Sequence, residues 1–202
     1  MVASVVTNDL LFTVDGAGYQ PAGGFRIADQ LIEISSHPAL SELGRAAGLC
    51  NDAVLRECLR GHDFACYQHT TRLARERGLK VCSHLIVGLP GEGRHHCLQT
   101  LERVVETGVD GIKLHPLHIV KGSIMARAWQ AGRLNGIALE AYTVTAGEMI
   151  RHTPPEVIYH RISASARRPT LLAPLWCENR WTGMVELDKY LNEYGVQGSA
   201  IG

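Results

Sequence analysis

The chain alternates between two spacings of hydrophobic residues, one typical of helices and the other of strands. Residues 63–78 predict a helix that begins at the capping residue Asp63 and ends at Gly78. Residues 79–89, with the sequence LKVCSHLIVGL, form an almost continuous apolar run and predict a strand. Residues 94–108 predict a second helix that ends at Gly108 and has one apolar face, made of Cys97, Leu98, Leu101, Val104 and Val105.

The same alternation continues toward the end of the chain and predicts an α/β fold. Residues 109–120 and 156–163 predict two more strands. Three further helical segments are predicted at about 123–133, 138–152 and 184–195. Strands and helices that alternate at this spacing form parallel βαβ units, in which helices cover the sheet and the strands are strongly apolar.

The position of each residue within the first two of these strands predicts which way it faces. On one side of the first strand lie Cys82, His84, Ile86 and Gly88, and on the other lie Val81, Leu85 and Val87. On one side of the second lie Gly111, Lys113, His115 and Leu117, and on the other lie Ile112 and Leu114. We expect the aliphatic sides to face the helices. The sides that carry His84, Lys113 and His115 then face the concave interior of a sheet or barrel.

The first strand ends in the sequence Gly-Leu-Pro-Gly-Glu, which suggests a ligand site. Gly88 would allow a flat ligand to lie against the backbone, and Pro90 makes the turn rigid. Gly91 permits unusual dihedral angles, as does Gly93, and Glu92 can interact with the next helix N-terminus or with a cation on a ligand. Ligands of such folds bind at the C-terminal ends of the strands. An ordinary strand-to-helix turn is an equal alternative.

Composition and charge restrict the classes of protein to be considered. Twenty basic and twenty acidic residues give a net charge of zero, so charge alone requires no polyanionic partner. The sequence has neither an apolar run of the length that crosses a membrane nor a basic N-terminal signal region, and we expect no membrane partner and a soluble, cytoplasmic protein. The six cysteines lack any C-x-x-C spacing, which favours small buried residues in a reducing cell.

Two other groups of residues have the composition of a binding site. His84, His115 and His118 could suggest a metal, but residues three apart on one strand, as in HPLH, point to opposite faces, so no metal site is predicted. His84 and His115 either line a substrate cavity or are hydrogen-bonded histidines of the core. Residues 161–181 combine arginines with tryptophans, and they either hold a phosphate or close the mouth of the barrel with a solvated basic rim.

The sequence from about residue 60 resembles the radical S-adenosylmethionine (radical SAM) superfamily. The segment RGHDFACYQHTTRLARERGLKVCSHLIVGLPGEG is similar to the second half of the barrel in the elongator-catalytic-subunit-like members. Three later segments, at 101–123, 146–181 and 186–200, narrow the resemblance to the YhcC-type branch. The resemblance implies a partial parallel (βα) barrel, the C-terminal half of a radical SAM TIM-like barrel with a C-terminal extension.

The resemblance also implies cofactors and site residues. In the family an I-x-G turn packs against the adenine of S-adenosylmethionine. The cofactor-binding candidates on this basis are Ile86, Gly88, Leu89, Pro90, Gly91, Glu92, His115 and Leu117. The candidates for a substrate cavity are His84, Lys113 and Arg161. The substrate is unknown, and the sequence allows either a nucleic acid or a small molecule as the substrate.

The sequence departs from the family in its cluster-binding motif. Members hold a 4Fe-4S cluster with three cysteines spaced C-x-x-x-C-x-x-C, and this chain has no such motif. The cofactors S-adenosylmethionine and 4Fe-4S are therefore implied by the family, while the cluster ligands are absent from this chain. Two functions stay open: a radical SAM enzyme, truncated here or a true diverged paralogue, and a non-catalytic βα module with weak nucleoside binding at most.

The expected organisation has three parts. Residues 1–59 are predicted to be a divergent N-terminal segment, residues 60–165 the βα units of the half-barrel, and residues 166–202 a C-terminal extension. Within the first part, residues 17–25 predict a loop, and helices are favoured at 26–34, 39–48 and 51–61.

Overall fold

The computed structural model describes residues 64–201 and, before them, four strands. These strands are β1 (Ser4–Thr7), β2 (Leu10–Val14), β3 (Phe25–Ile27) and β4 (Gln30–Ile32). Neighbouring strands pair antiparallel in the order β1-β2-β3-β4. The helix favoured at 26–34 is wrong, because β3 and β4 occupy most of that range. Phe25 and Ile27 alternate with Arg26, which is the two-residue period of a strand. The helices favoured at 39–48 and 51–61 lie outside the described residues.

The remaining elements follow the predicted alternation of helix and strand. The helices are α1 (Phe64–Glu76), α2 (Arg94–Glu106), α3 (Ile124–Gln130), α4 (Leu139–Arg151) and α5 (Arg180–Tyr194). The strands are β5 (Cys82–Val87), β6 (Gly111–Pro116), β7 (Ile119–Val120), β8 (Ile158–Arg161) and β9 (Leu171–Ala173). A short 3-10 helix at Leu175–Glu178 precedes α5. Strands β5, β6 and β8 form a parallel sheet in that order, and β7 pairs antiparallel with β9.

The first βαβ unit begins and ends where local chemistry predicts. Gly78 and Gly108, which follow α1 and α2, have φ angles of 73° and 76°. These angles lie in the left-handed region, which often ends a helix and which glycine adopts at a lower conformational energy than other residues. Asp110 joins the starts of β5 and β6, because its carboxylate accepts hydrogen bonds from the Lys80 ammonium at 2.7 Å and from the Val81 N–H at 2.9 Å. The two strands therefore begin at the same level.

The main hydrophobic core lies between the parallel sheet and the helices. Leu85 and Leu114 from the sheet are at most 2% exposed, and so is Leu187 from α5. Tyr142 in α4 is also fully buried, and its hydroxyl donates a hydrogen bond to the Ile162 carbonyl at 2.7 Å. The C-terminal helix therefore completes the same core that the βα units begin.

The segment 109–120 forms two strands, whereas the sequence pattern predicted one. β6 ends at Pro116, and the Leu117 N–H donates to the Val87 carbonyl at 2.9 Å. The chain then turns, and Ile119 pairs with Ala173 of β9 in a second, antiparallel sheet. Because alternate residues of a strand donate to opposite sides, the missing N–H of Pro116 removes a donor on the side of β8, not on the side of β5.

No helix in residues 64–201 is both long enough and apolar enough to cross a membrane.

Candidate functional site

The parallel sheet has one face covered by helices and one lined by polar side chains, which we call the inner face. Strands β5 and β6 pair His84 with Lys113 and Ile86 with His115, so these four residues share a face. Leu85 and its partner Leu114 lie on the other face, in the main core. The facing predicted from the sequence for these strand residues is confirmed.

Arg161 reaches the inner face because β8 contains one extra residue. Ile112 pairs with Tyr159, but Lys113 pairs with Arg161, so His160 is a bulge. Without the bulge, Arg161 would follow strict alternation and point toward the core. The His160 ring also lies against Gly111, where a Cβ atom would come within 2.7 Å of the ring. The candidates His84, Lys113 and Arg161 are therefore brought together in one row across the sheet.

Three imidazole rings are in contact on this face. The ring centroids of His84 and His115 are 5.2 Å apart, and those of His115 and His118 are 4.5 Å apart. The prediction that His115 and His118 point to opposite faces is wrong. It assumed one continuous strand, and the break after Pro116 turns His118 back toward the inner face.

Burial and neighbouring cations keep these imidazoles neutral at neutral pH. Burial lowers the pKa of His84 to about 4, and His115, Arg161 and Lys113 add to the effect. Burial likewise lowers the pKa of His118 to about 4. The pKa of His115 is lowered mainly by burial, although its hydrogen bond to the Pro116 carbonyl acts in the opposite direction. Within residues 64–201, no group of three or more His, Cys, Asp or Glu side chains is arranged to hold a metal ion.

The inner face becomes apolar at the C-terminal ends of β5 and β6. Leu89 and Leu117 are buried there, and Ile86 and Met125 pack against them as a separate small cluster. The predicted cofactor-binding residues Ile86, Leu89 and Leu117 are therefore in one place. Met125, from α3, was not predicted, because nothing in its local pattern indicates that α3 folds over this strand end.

The sequence predicted that Gly88 leaves space for a flat ligand against the backbone. The backbone geometry differs from this prediction. The φ angle of Gly88 is 100°, so strand alternation has ended there, and Gly88 does not share the side of His84 and Ile86. A Cβ atom at this position would lie 2.9 Å from the Cβ of Ile137, whose side chain packs against the main core. Glycine is required here because Ile137 approaches the backbone closely.

The turn after Gly88 is well defined. The Glu92 N–H donates to the Leu89 carbonyl at 3.1 Å, and the φ angle of Gly91 is 77°. Proline at the second position and glycine with positive φ at the third are typical of a type II turn, so Pro90 and Gly91 serve the turn itself. Glu92 precedes Gly93, the N-cap of α2, and its carboxylate helps burial raise the pKa of the Cys97 thiol to about 12.

The basic and aromatic side chains of residues 161–181 do not form one patch. Trp176 is partly buried, and its indole N–H donates to the Ile137 carbonyl at 2.9 Å. Arg168 forms an ion pair with Glu178, and the Arg180 guanidinium lies 4.5 Å from the centre of the exposed Trp181 ring. This arrangement favours the interpretation of this segment as a closing element with a solvated rim.

Comparison with known proteins identifies the family. The radical SAM C-terminal domain matches residues 109–193. The chain is 86% identical over 152 residues to protein YhcC of Escherichia coli strain K12, a match that covers 75% of this chain and 49% of that protein. Residues 109–193 of this chain belong to the radical SAM family. The chain spans about half the length of the curated relatives that it matches.

Two further comparisons agree, one in sequence and one in fold. The chain is 35% identical over 136 residues to the protein YtqA of Bacillus subtilis strain 168, which covers 67% of this chain and 42% of that protein. The solved structure of Methanocaldococcus infernus Elp3 with an N-terminal deletion matches with a TM-score of 0.66 at 20% identity, covering 75% of this chain and 35% of that one. The resemblance found in the sequence is confirmed, and so is the radical SAM type of α/β fold.

The described cysteines do not fit the iron–sulfur cluster of the radical SAM family. Cys66, Cys82, Cys97 and Cys177 lie on different elements, and they do not form a group that could hold iron. Cys177 is buried, which raises the pKa of its thiol to about 12, whereas Cys82 is exposed. Residues 64–201 therefore do not supply the ligand set of such a cluster.

Proposed function

We propose that this chain provides the half of a radical SAM barrel that binds the adenosine part of S-adenosylmethionine at the ends of β5 and β6. The observation that carries the proposal is the small apolar cluster of Ile86, Leu89, Leu117 and Met125 at this strand end. The family resemblance implies that Ile86 packs against adenine, and in this proposal the partly exposed Ile86 gives a planar ring an apolar surface to lie on. Chains with this topology generally bind ligands at this edge.

In this proposal the ligand approaches from the side of Ile86 rather than over Gly88. Ile137 covers the other side of the Gly88 backbone, so a ring cannot lie there unless Ile137 moves. The turn at Pro90 and Gly91 fixes the path of the chain behind the cluster. Glu92 lies at the beginning of α2, and His115 forms the wall of the site on the side of β6.

The expected affinity of the adenosine site alone is low. Covering one face of adenine removes on the order of 100 Å² of apolar surface from water, worth about 2.5 kcal/mol. A dissociation constant of 1 mM corresponds to about 4 kcal/mol, so one or two hydrogen bonds to the backbone bring the site into the millimolar range. Tight binding would need the methionine end to be anchored as well.

Calorimetric titration of the full chain with millimolar S-adenosylhomocysteine tests the proposal. Adenosine, in a parallel titration, shows whether the adenosine part carries the binding. Ile86→Ser removes the apolar surface and should weaken binding at least tenfold. Ile158→Ser removes the same side chain from an exposed position on β8, 63% accessible, and should bind like the wild type. If Ile86→Ser and Ile158→Ser bind equally well, the strand end is not the adenosine site.

The second candidate is a βα module without radical chemistry of its own, and the cysteine arrangement favours it for this chain. Reductive cleavage of S-adenosylmethionine needs an iron–sulfur cluster, and the described cysteines do not form its ligand set. We expect anaerobic reconstitution with iron and sulfide to leave this chain without a stoichiometric cluster. A content of about four irons per chain, retained through gel filtration, would instead support a radical SAM enzyme.

A further inference from the structure

Two basic side chains lie next to each other on the inner face. Lys113 of β6 pairs with Arg161 of β8, and both side chains are half-buried. Neighbouring strands are about 4.8 Å apart, so two positive charges start from adjacent points on one surface. Partly buried charges are costly unless a charge of opposite sign compensates them.

No acidic side chain compensates this pair in the part of the chain that the structure describes. Ion pairs elsewhere in residues 64–201 include Lys80 with Asp110 and Lys189 with Glu186, but none involves Lys113 or Arg161. The nearby side chains that act electrostatically on His84 are His115, Arg161 and Lys113, all basic. The inner face is therefore a local region of positive potential in a chain whose net charge is zero.

His84 adds a hydrogen-bonding group to the same row. It pairs with Lys113 from the other side, so His84, Lys113 and Arg161 follow one another across three strands. The His84 Nε2 atom is buried and has no hydrogen-bond partner in the described structure. Buried polar atoms are normally hydrogen-bonded, and an imidazole nitrogen that carries a proton can donate to an anionic oxygen.

We infer that His84, Lys113 and Arg161 form a binding site for an anionic oxygen group, a phosphate or a carboxylate, of a ligand on the inner face. The guanidinium group offers paired N–H donors, the ammonium group offers a point charge, and the imidazole supplies one further donor. His84 precedes Ile86 by two residues, so the site lies about 7 Å along the strand from the proposed adenosine cluster.

Binding of inorganic phosphate to the full chain tests the inference without any adenine. Proton–carbon correlation NMR spectra follow the imidazole signal of His84 while phosphate is added at constant ionic strength. The signal is assigned by its absence from the spectrum of His84→Gln. We expect a saturable shift of the His84 signal. Lys113→Gln and Arg161→Gln should each weaken phosphate binding about tenfold, the usual effect of losing one charge-assisted hydrogen bond. Lys113→Arg, which keeps the charge, should bind within about threefold of the wild type.

Lys189→Gln is the matched control, because it removes a lysine charge from the exposed surface of α5. It should bind phosphate like the wild type. A parallel titration with acetate separates the two sources of the anion: tighter binding of phosphate assigns the site to a phosphate group, and equal or tighter binding of acetate assigns it to a carboxylate. The inference is overturned if neither anion gives a saturable shift, or if Lys113→Gln and Lys189→Gln bind phosphate equally.

Folding of the variants is checked by urea unfolding without phosphate. Removal of a partly buried charge that lacks a partner should leave the Lys113→Gln midpoint unchanged or higher. A lower midpoint would mean that Lys113 is compensated within the protein, which also contradicts an anion site. Loss of adenosine binding in the Ile86→Ser experiment leaves this result unaffected, so the two proposals can fail separately.

Discussion

Replacement of Gly88 by alanine distinguishes a glycine required by internal packing from one that leaves room for a ligand. The alanine Cβ would lie 2.9 Å from the Cβ of Ile137 and 3.1 Å from its Cδ1. Carbon atoms in contact prefer about 3.5–4.0 Å, so Ile137 or the strand end has to move. The φ angle of 100° is also unfavourable for alanine. We expect Gly88→Ala to destabilise the protein through both effects.

Gly91→Ala is the matched control because it has only one of the two effects. Gly91 has a φ angle of 77°, and nothing lies within 4 Å of the position of its added Cβ. Alanine at positive φ costs about 1–2 kcal/mol, of which about 0.4–1 kcal/mol is offset because alanine restricts the unfolded chain. Gly88→Ala bears a similar cost together with about 1–3 kcal/mol for overpacking. The expected loss of unfolding free energy is about 1 kcal/mol for Gly91→Ala and about 2–4 kcal/mol for Gly88→Ala.

Urea unfolding followed by tryptophan fluorescence measures this difference. Trp176 is a suitable reporter because its indole donates to the Ile137 carbonyl. The slope of free energy against urea should be the same for the wild type and both variants, so that the midpoints report stability alone. If Gly88→Ala is no less stable than Gly91→Ala, Ile137 does not pack against Gly88. The backbone at Gly88 would then be open to a ligand.

Three further predictions concern the core, the sheet entrance and the thiols. Leu85→Ala should lower the unfolding free energy by about 2–5 kcal/mol in urea titrations, because Leu85 is 2% exposed. Phosphate binding should stay unchanged, because Leu85 faces the helices and not the inner face. A loss of unfolding free energy below about 1 kcal/mol would contradict the burial of Leu85. Hydrogen bonding, chiefly from Lys80, holds the pKa of the Asp110 carboxyl in the folded protein below its usual value of about 3.9. The contribution of this carboxylate to stability is therefore complete above the usual pKa, and it is lost as the pH falls through the pKa of the folded protein. The urea midpoint of Asp110→Asn should therefore fall less than that of the wild type on acidification below about pH 4, and parallel curves would refute the role of the carboxylate. Iodoacetamide should modify the exposed Cys82 in the folded protein, whereas the buried Cys97 should react only in urea. Peptide mass mapping measures the modification of each cysteine. Equal rates of modification of Cys82 and Cys97 in the folded protein would contradict the burial of Cys97.

The parts of the fold that depend on local spacing could be predicted from the sequence. The order of the helices and of the parallel strands β5, β6 and β8 follows from apolar periodicity and from glycines such as Gly78 and Gly108, whereas β7 and β9 were not predicted. The inner face of β5 and β6 follows from alternation, because the face of a sheet that helices cover is mainly apolar. His84 and Lys113 could be assigned to the other face for the same reason.

Features that depend on contacts distant in sequence could not be predicted in this way. The packing of Ile137 against Gly88 joins the start of α4 to the end of β5, and neither local pattern indicates the other. The contact of His118 with His115 depends on the strand break at Pro116, which a continuous apolar run conceals. The bulge at His160, which turns Arg161 inward, leaves the apolar pattern of β8 almost unchanged.

The burial of residues from the C-terminal helix has a consequence for synthesis of the protein. Leu187 is fully buried in the same core as Leu85 and Leu114, and β9 pairs with β7 near the middle of the chain. A nascent chain that ends before α5 exposes this apolar surface, which favours association with chaperones or with other nascent chains. The βα units can therefore reach their final packing only after α5 has been translated.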